Sequence, residues 1–435
     1  MKLRKLVATT LAVALVASGV TACGNNNASG GSGTTPPSSN TGTATPTPEA
    51  EKITLTVWGP QEDQSSLDGY KDGILKAMCE AFDEAHPEWD ITFKYGVCSE
   101  GDAKDTVTKD VAGAADVYMF ANDQIPILAE AGALAKLGGT TVDQIKADND
   151  PKMTDSVTYN GDVYGVPFTS NTWFMYYDTS KFTEDEVKSL DTMMNKDLGD
   201  DVYNFAFALD NSWYIEAFYY GAGGTLFGDG TDASAGCDWD NESGVAATKY
   251  MVNLANNKKF SLENKGSSLA KFKEGKLGAY CSGSWDAAAI KEALGENFGA
   301  TKIPTVTING KEGQLKSFAG SKAIGVNPSS KNLPASVALA AYLGGKECQE
   351  IRFEARGIIP TNKEVQAMDA VKNDVVATAQ ALEIAEAAVV QPVLAEMGKY
   401  WTPAESMGKE ITQGNVTEAN AQEKTKQMVE GILAK

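Results

Sequence analysis

The chain has a single histidine among its 435 residues. A multi-histidine metal site is excluded by number, and the position of His86, followed by Pro87 at the end of a helical pattern, argues against a Ser-His-Asp triad. His86 reads as a solvated surface residue. Cysteine is sparse as well: six are present and none forms a C-x-x-C pair, which leaves zinc ribbons and dithiol redox motifs without support. Neither G-x-S-x-G nor a phosphate-binding loop occurs. The stretch "DWDNESG" (238–244) resembles a calcium loop only in part, because its glycine comes one position late and Lys249 stands where the loop-closing acid belongs. No metal or cofactor is therefore expected. Positive charge is also scarce, with 38 Lys and Arg against 58 Asp and Glu, a formal net charge of −20. The first 22 residues hold Lys2, Arg4 and Lys5 and no acid, so the remainder carries −20 − 3 = −23. Such a body repels phosphate backbones and anionic membrane surfaces, which argues against a nucleic-acid partner.

Long apolar runs are confined to the N-terminus. Three cations precede an apolar stretch from Leu6 to Val20, broken by Thr9, Thr10, Ser18 and Gly19 and short for a bilayer span, as in an export signal over residues 1–22. The signal ends in "VTAC", which resembles the lipobox of bacterial lipoproteins and implies cleavage before Cys23 and lipid on that cysteine. Residues 24–50 contain Gly, Ser, Thr, Asn and Pro but no large apolar side chain, so nothing offsets the entropy of ordering them. Residues 23–50 thus read as a lipidated cysteine on a flexible leash, holding the protein at the extracytoplasmic face of the membrane.

Beyond the leash, a hydrophobic content of 42% and an aromatic content of 9% are enough for real cores. "KITLTVW" (52–58) is β-branched. Residues 67–85 carry apolar side chains at helical spacing and stop before Pro87; "DITFKYGV" (90–97) alternates as a half-buried strand does. A polar helix over 102–113, a strand at 115–120 and a helix from 124 continue the alternation. Further on come a turn at 160–162, a buried strand at 172–177, and a second series of strands and helices from 203 to a helix beginning at Asp286. This order implies an α/β protein with mostly parallel sheets covered by helices.

Open parallel sheets bind ligands at the carboxyl ends of their strands, and large aromatics stand at several such exits. Trp58 ends the first strand, Phe120 the third, Trp285 follows "LGAYCSGS", and Trp213 sits at the strand-to-helix step "LDNSWY". Short polar groups accompany them: Glu62 and Asp63, Asp123 and Gln124, Asn171, Asp210 and Asn211. Flat apolar faces beside hydroxyl-bonding amides and carboxylates suit a sugar, whose ring has an apolar face and a polar rim.

The segments "TVWGPQED", "ADVYMFANDQIPILAEAGAL", "VTYNGDVYGVPF", "FKEGKLGAYCSGSW", "KIPTV" and "QPVLAEMGKYW" resemble the extracellular solute-binding proteins of carbohydrate ABC importers, of the maltose-binding-protein type. The resemblance implies a periplasmic-binding-protein-like Venus flytrap: two α/β lobes joined by a hinge, gripping an oligosaccharide between them. It implies an N-terminal lobe of residues 52–166 plus 306–358 and a C-terminal lobe of 167–305 plus 359–435. It also implies that Trp285, Trp213 and Trp401 stack on sugar, with Glu62 or Asp63, Phe120 and Asp123 as partners in the first lobe; Trp58 joins the candidates on its strand-exit position. Phe120 takes a position that is tryptophan in the family's type member. Gln124 replaces an arginine, and Asn171 and Asn211 replace glutamates, which suits a neutral glucan such as maltose or a maltooligosaccharide. The expected partners are this ligand, a membrane permease, and the membrane itself through the lipid; the chain is expected to work as a monomer and not as an enzyme.

Three other readings stand beside this one. A tethered glycosidase would need two carboxylates, and 58 acids make candidates easy to find. A surface adhesin would share the lipid, leash and aromatics. Capture of another solute, such as a peptide or polyamine, fits less well with tryptophans that outnumber paired charges at the strand exits. Cys79 and Cys98 are open to two fates, a bridge in an oxidising compartment or two buried free thiols.

Overall fold

Alternation sets the first strand. Along Glu51–Gly59, Ile53, Leu55 and Val57 are buried while Lys52 and Thr54 are exposed on the other face. In this computed structural model, which describes residues 49–264 and 266–434, that strand lies between parallel partners Trp89–Val97 and Val117–Ala121. The helix Ile74–Ala85 covers the apolar face with Ile74, Leu75, Met78 and Phe82, the spacing that puts side chains on one helical stripe. It is shorter than the 67–85 pattern suggests, because Gly69 and Gly73 hold φ of 80° and 86° and turn the chain before the helix can start. The helix expected over 102–113 is likewise only Ala103–Val107.

Three segments from further along the chain complete this six-stranded sheet. Ser317–Val326 runs antiparallel to Val117–Ala121, Val166–Asn171 pairs antiparallel with it, and Ala388–Val390 runs parallel to its first residues. The second sheet has five strands in the order Phe298–Thr301, Trp173–Asp178, Leu277–Gly283, Tyr203–Phe207, Phe260–Leu262. Every residue of Trp173–Asp178 is buried, since both faces of the sheet are covered. Trp173 and Met175 enter one core, Phe174 and Tyr176 another.

Each sheet therefore has a core of its own, giving two α/β lobes joined by crossing segments. Thr172, between the lobes, donates its hydroxyl to the Phe318 carbonyl at 2.8 Å, and Thr169 donates to the Ile359 carbonyl at 2.7 Å. These bonds tie the crossings to one another. The hairpin Thr305–Ile308 and Lys311–Gln314 departs from the expected lobe boundary at 306. Val306, Ile308 and Leu315 bury their side chains in the second lobe, so the chain returns to the first only along Ser317–Val326. Residues from Glu49 onward form one compact unit.

The export signal, Cys23 and the leash up to residue 48 lie outside the described residues. Among the described residues no helix is long and apolar enough to cross a membrane, and no cluster of three or more His, Cys, Asp or Glu could hold a metal ion. Cys79, Cys98, Cys237, Cys281 and Cys348 are buried and free, which decides the Cys79–Cys98 alternative in favour of thiols. "DWDNESG" caps a helix: Asn241 accepts the Gly244 amide at 3.0 Å, at the start of Glu242–Ala255. His86 is at a helix end, half-exposed, with Nδ1 2.9 Å from the Glu88 carboxylate.

Candidate functional site

In the second lobe the aromatics stand at helix starts. Trp213 is the second residue of Ser212–Gly221, Trp401 the first of Trp401–Thr412, and Trp285 lies in the turn Ser284–Asp286 that feeds Ala287–Leu294. Each start is fastened to its neighbours. Asn211 caps the Trp213 helix by accepting the Trp213 amide at 2.8 Å, and the Trp173 indole N–H donates to the Trp213 carbonyl at 2.9 Å. Tyr400, next to Trp401, donates its hydroxyl to the Ser212 carbonyl at 2.6 Å, bringing the two helix starts side by side. Asp286, beside Trp285, accepts from Ser282 at 2.6 Å and from the Tyr280 hydroxyl at 3.3 Å.

The resulting surface is aromatic and open. The rings of Trp213 and Trp285 are stacked with centroids 5.9 Å apart at 25°, a pairing worth about 0.5–1.5 kcal/mol beyond burial. Trp285 remains 53% exposed, unusual for so large an apolar side chain, whereas Trp213 and Trp401 are half-buried. Trp401 packs edge-on against Phe318, centroids 6.2 Å apart, and so touches the first residues of the crossing strand. Asn211 is exposed, with its Oδ1 already used by the helix cap.

The first lobe treats its expected site residues differently, and several are corrected. Phe120 is fully buried, inside the strand and not beyond it; its ring fills the space left by Gly165 and Gly325, where an added Cβ would come within 2.8 Å. Asp63 is 1% exposed and paired with Arg352 and Arg356, an internal ion pair that fixes the short helix Gln61–Gln64. Gln124 is also interior: its amide donates to the Glu100 and Gly101 carbonyls at 2.9 and 2.7 Å and accepts the Lys104 amide at 2.7 Å. None of these three faces solvent in a way that a ligand could use. Glu62 and Asp123 are exposed, while Trp58 and Asn171 are half-buried. The Trp58 indole lies over Gly96, where a Cβ would meet its Cδ1 at 2.4 Å.

One residue from each lobe's set lies near the strand Ser317–Val326. Asn122, one residue before Asp123, accepts the Ser321 amide at 2.9 Å, and Phe318 carries Trp401. Ser321 is three positions along the strand from Phe318, about 10 Å. Asp123 has a pKa above the ordinary carboxylate value, first because surrounding protein desolvates it, with a backbone hydrogen bond and then Lys104 opposing. Sequence reading missed Glu100 and Lys322, 3.5 Å apart in the same region. Glu100 follows the strand Trp89–Val97, whereas Lys322 lies in the middle of Ser317–Val326, where nothing in the sequence marks it.

Two acids with strongly raised pKa values do not belong to this surface. Glu216 accepts the Phe318 amide at 3.3 Å, and Glu383 accepts from Ser317 at 2.6 Å and from the Ile303 amide at 2.8 Å. Burial pushes Glu383 up to about 8 and Glu216 well above the ordinary value. Both are fully buried and hold the foot of the crossing strand, so they cannot reach a substrate as glycosidase acids do.

A model of the family described as bacterial extracellular solute-binding protein matches residues 77–379. A solved structure, determined with acarbose, is 46% identical, covering 88% of this chain and 98% of the other, with a TM-score of 0.78. The galactooligosaccharide-binding protein of Bacillus subtilis (strain 168) is 27% identical, covering 87% of this chain and 89% of its own. The maltooligosaccharide ABC transporter solute-binding lipoprotein of Streptococcus pneumoniae (strain ATCC BAA-255 / R6) is 28% identical, with coverages of 78% and 81%.

Proposed function

This chain belongs to the family of bacterial extracellular solute-binding proteins, and on that premise we propose that it captures α-linked gluco-oligosaccharides between its lobes. It then presents them to the permease of an ABC importer. The observation that carries this reading is the exposed Trp285 stacked on Trp213, with the Trp401 helix start alongside. A pyranose ring would lie on the Trp285 indole. Asp123, Glu62 and Asn171 would meet its hydroxyls from the first lobe, with Trp58 as a second apolar wall. The relatives named for maltooligosaccharide and the structure determined with acarbose support this choice of sugar.

Capture needs no chemistry. Sugar touching both lobes favours the closed arrangement because only there are both sets of contacts made. Moving such an equilibrium from 1:99 to 99:1 takes about 5.5 kcal/mol, while a micromolar ligand has about 8 kcal/mol available. Cys23 would carry lipid and so tether the binding unit to the membrane. A galactose-containing oligosaccharide is the second reading, favoured by the Bacillus subtilis relative.

Calorimetric titration of residues 49–435 with maltotriose, longer maltooligosaccharides and galactooligosaccharides tests the assignment. Tight one-to-one binding of the maltooligosaccharides, with a smaller radius of gyration in solution scattering, is expected. Binding of the galactose series alone would transfer the assignment to the second reading, and no heat with any sugar would refute both.

A further inference from the structure

We propose that Gly283 is a positioning residue for the aromatic platform: by lacking a side chain it lets the Trp285 indole lie against the last peptide of its own strand, so that only the outer face is offered to sugar. The inference rests on the reading of Trp285 as a ligand contact. Gly283 ends Leu277–Gly283 with φ −93° and ψ −175°, an extended conformation open to any residue, so its backbone does not call for glycine. Space does. A Cβ built there would stand 2.0 Å from Cζ3, 2.2 Å from Cη2 and 2.4 Å from Cε3 of Trp285, far inside contact distance. The Tyr176 hydroxyl, donating to the Gly283 carbonyl at 3.0 Å, holds that peptide still beneath the ring.

The same device recurs in the first lobe, where the Trp58 indole lies over Gly96 with a Cβ clash of 2.4 Å. At both strand exits a tryptophan rests on a glycine. One face of Trp285 is therefore closed by backbone, which restricts the site to ligands that stack from one side. Because the ring is 53% exposed, it has room to swing outward if the glycine is filled, and doing so would separate it from Trp213.

A double-mutant cycle tests this on residues 49–435, a compact unit with its own cores. Gly283→Ala should weaken maltotriose binding at least tenfold in the wild-type background and less than twofold in a Trp285→Ala background. It should also diminish the exciton-coupled circular dichroism of the paired indoles, a band identified by its loss in Trp213→Phe. Equal losses in both backgrounds, or an unchanged band, would overturn the proposal. Should wild type bind no maltotriose, the carbohydrate reading falls and the dichroism alone decides the positioning. If Gly283→Ala fails to fold while the double variant folds, the clash is with the indole as proposed; failure of both variants would overturn it.

Discussion

The two lobes place large aromatics at strand exits in opposite ways. In the first, Phe120 sits within Val117–Ala121 and is sealed between Gly165 and Gly325; in the second, Trp285 comes two residues after Leu277–Gly283 and stays 53% exposed. One position inside the strand makes a core residue, and two positions beyond it make a surface. The polar neighbours divide similarly. Asp63 and Gln124 are spent on fixing their own turns, while Asp123 stands free between the bonded Asn122 and Gln124.

Four substitutions break or sharpen this contrast, in decreasing order of effect. Phe120→Ala removes a fully buried ring and should lower unfolding free energy by about 3–5 kcal/mol in denaturant titration, with little change in sugar affinity for the folded fraction. A large affinity loss without destabilisation would return Phe120 to the site. Glu383 stands at the foot of the strand both lobes share. Its folded pKa, about 8, lies above the ordinary 4.5, so the folded state holds a proton that the unfolded state has lost between those values. Stability should therefore fall as pH rises from about 4.5 to about 8, by at most about 1.4 kcal/mol per unit, and level off above. Glu383→Gln should flatten that slope in melts across the range.

Trp285→Ala should weaken maltotriose binding at least tenfold, about 1.4 kcal/mol, without lowering the melting temperature appreciably. A stability loss comparable to that of Phe120→Ala would mark it as core. Asp123→Asn retains an acceptor oxygen and should cost only about threefold to tenfold in affinity, measured in the same titration.

Much of the fold was legible because period-two strands and helical stripes repeat regularly, as Ile53, Leu55 and Val57 do opposite Ile74, Met78 and Phe82. Element ends were less so: Gly69 and Gly73 cut the first long helix, and nothing in helical spacing reports a positive φ. The exposed aromatic surface of Trp213 and Trp285 was readable from tryptophans at strand-to-helix steps. The inward turn of Asp63 was not, because its partners Arg352 and Arg356 lie nearly 300 residues away and only the fold brings them together. Gln124 was hidden for the same reason, since its bonds go to backbone atoms that carry no side-chain signal.

The central claim is that the outer face of Trp285 receives a sugar ring. A crystal structure of residues 49–435 with maltotriose tests it most directly. A pyranose ring stacked on the Trp285 face opposite Gly283, with Asp123 bonded to a hydroxyl of the same ligand, is the predicted result. A ligand bound elsewhere, with Trp285 still facing solvent, would contradict the account.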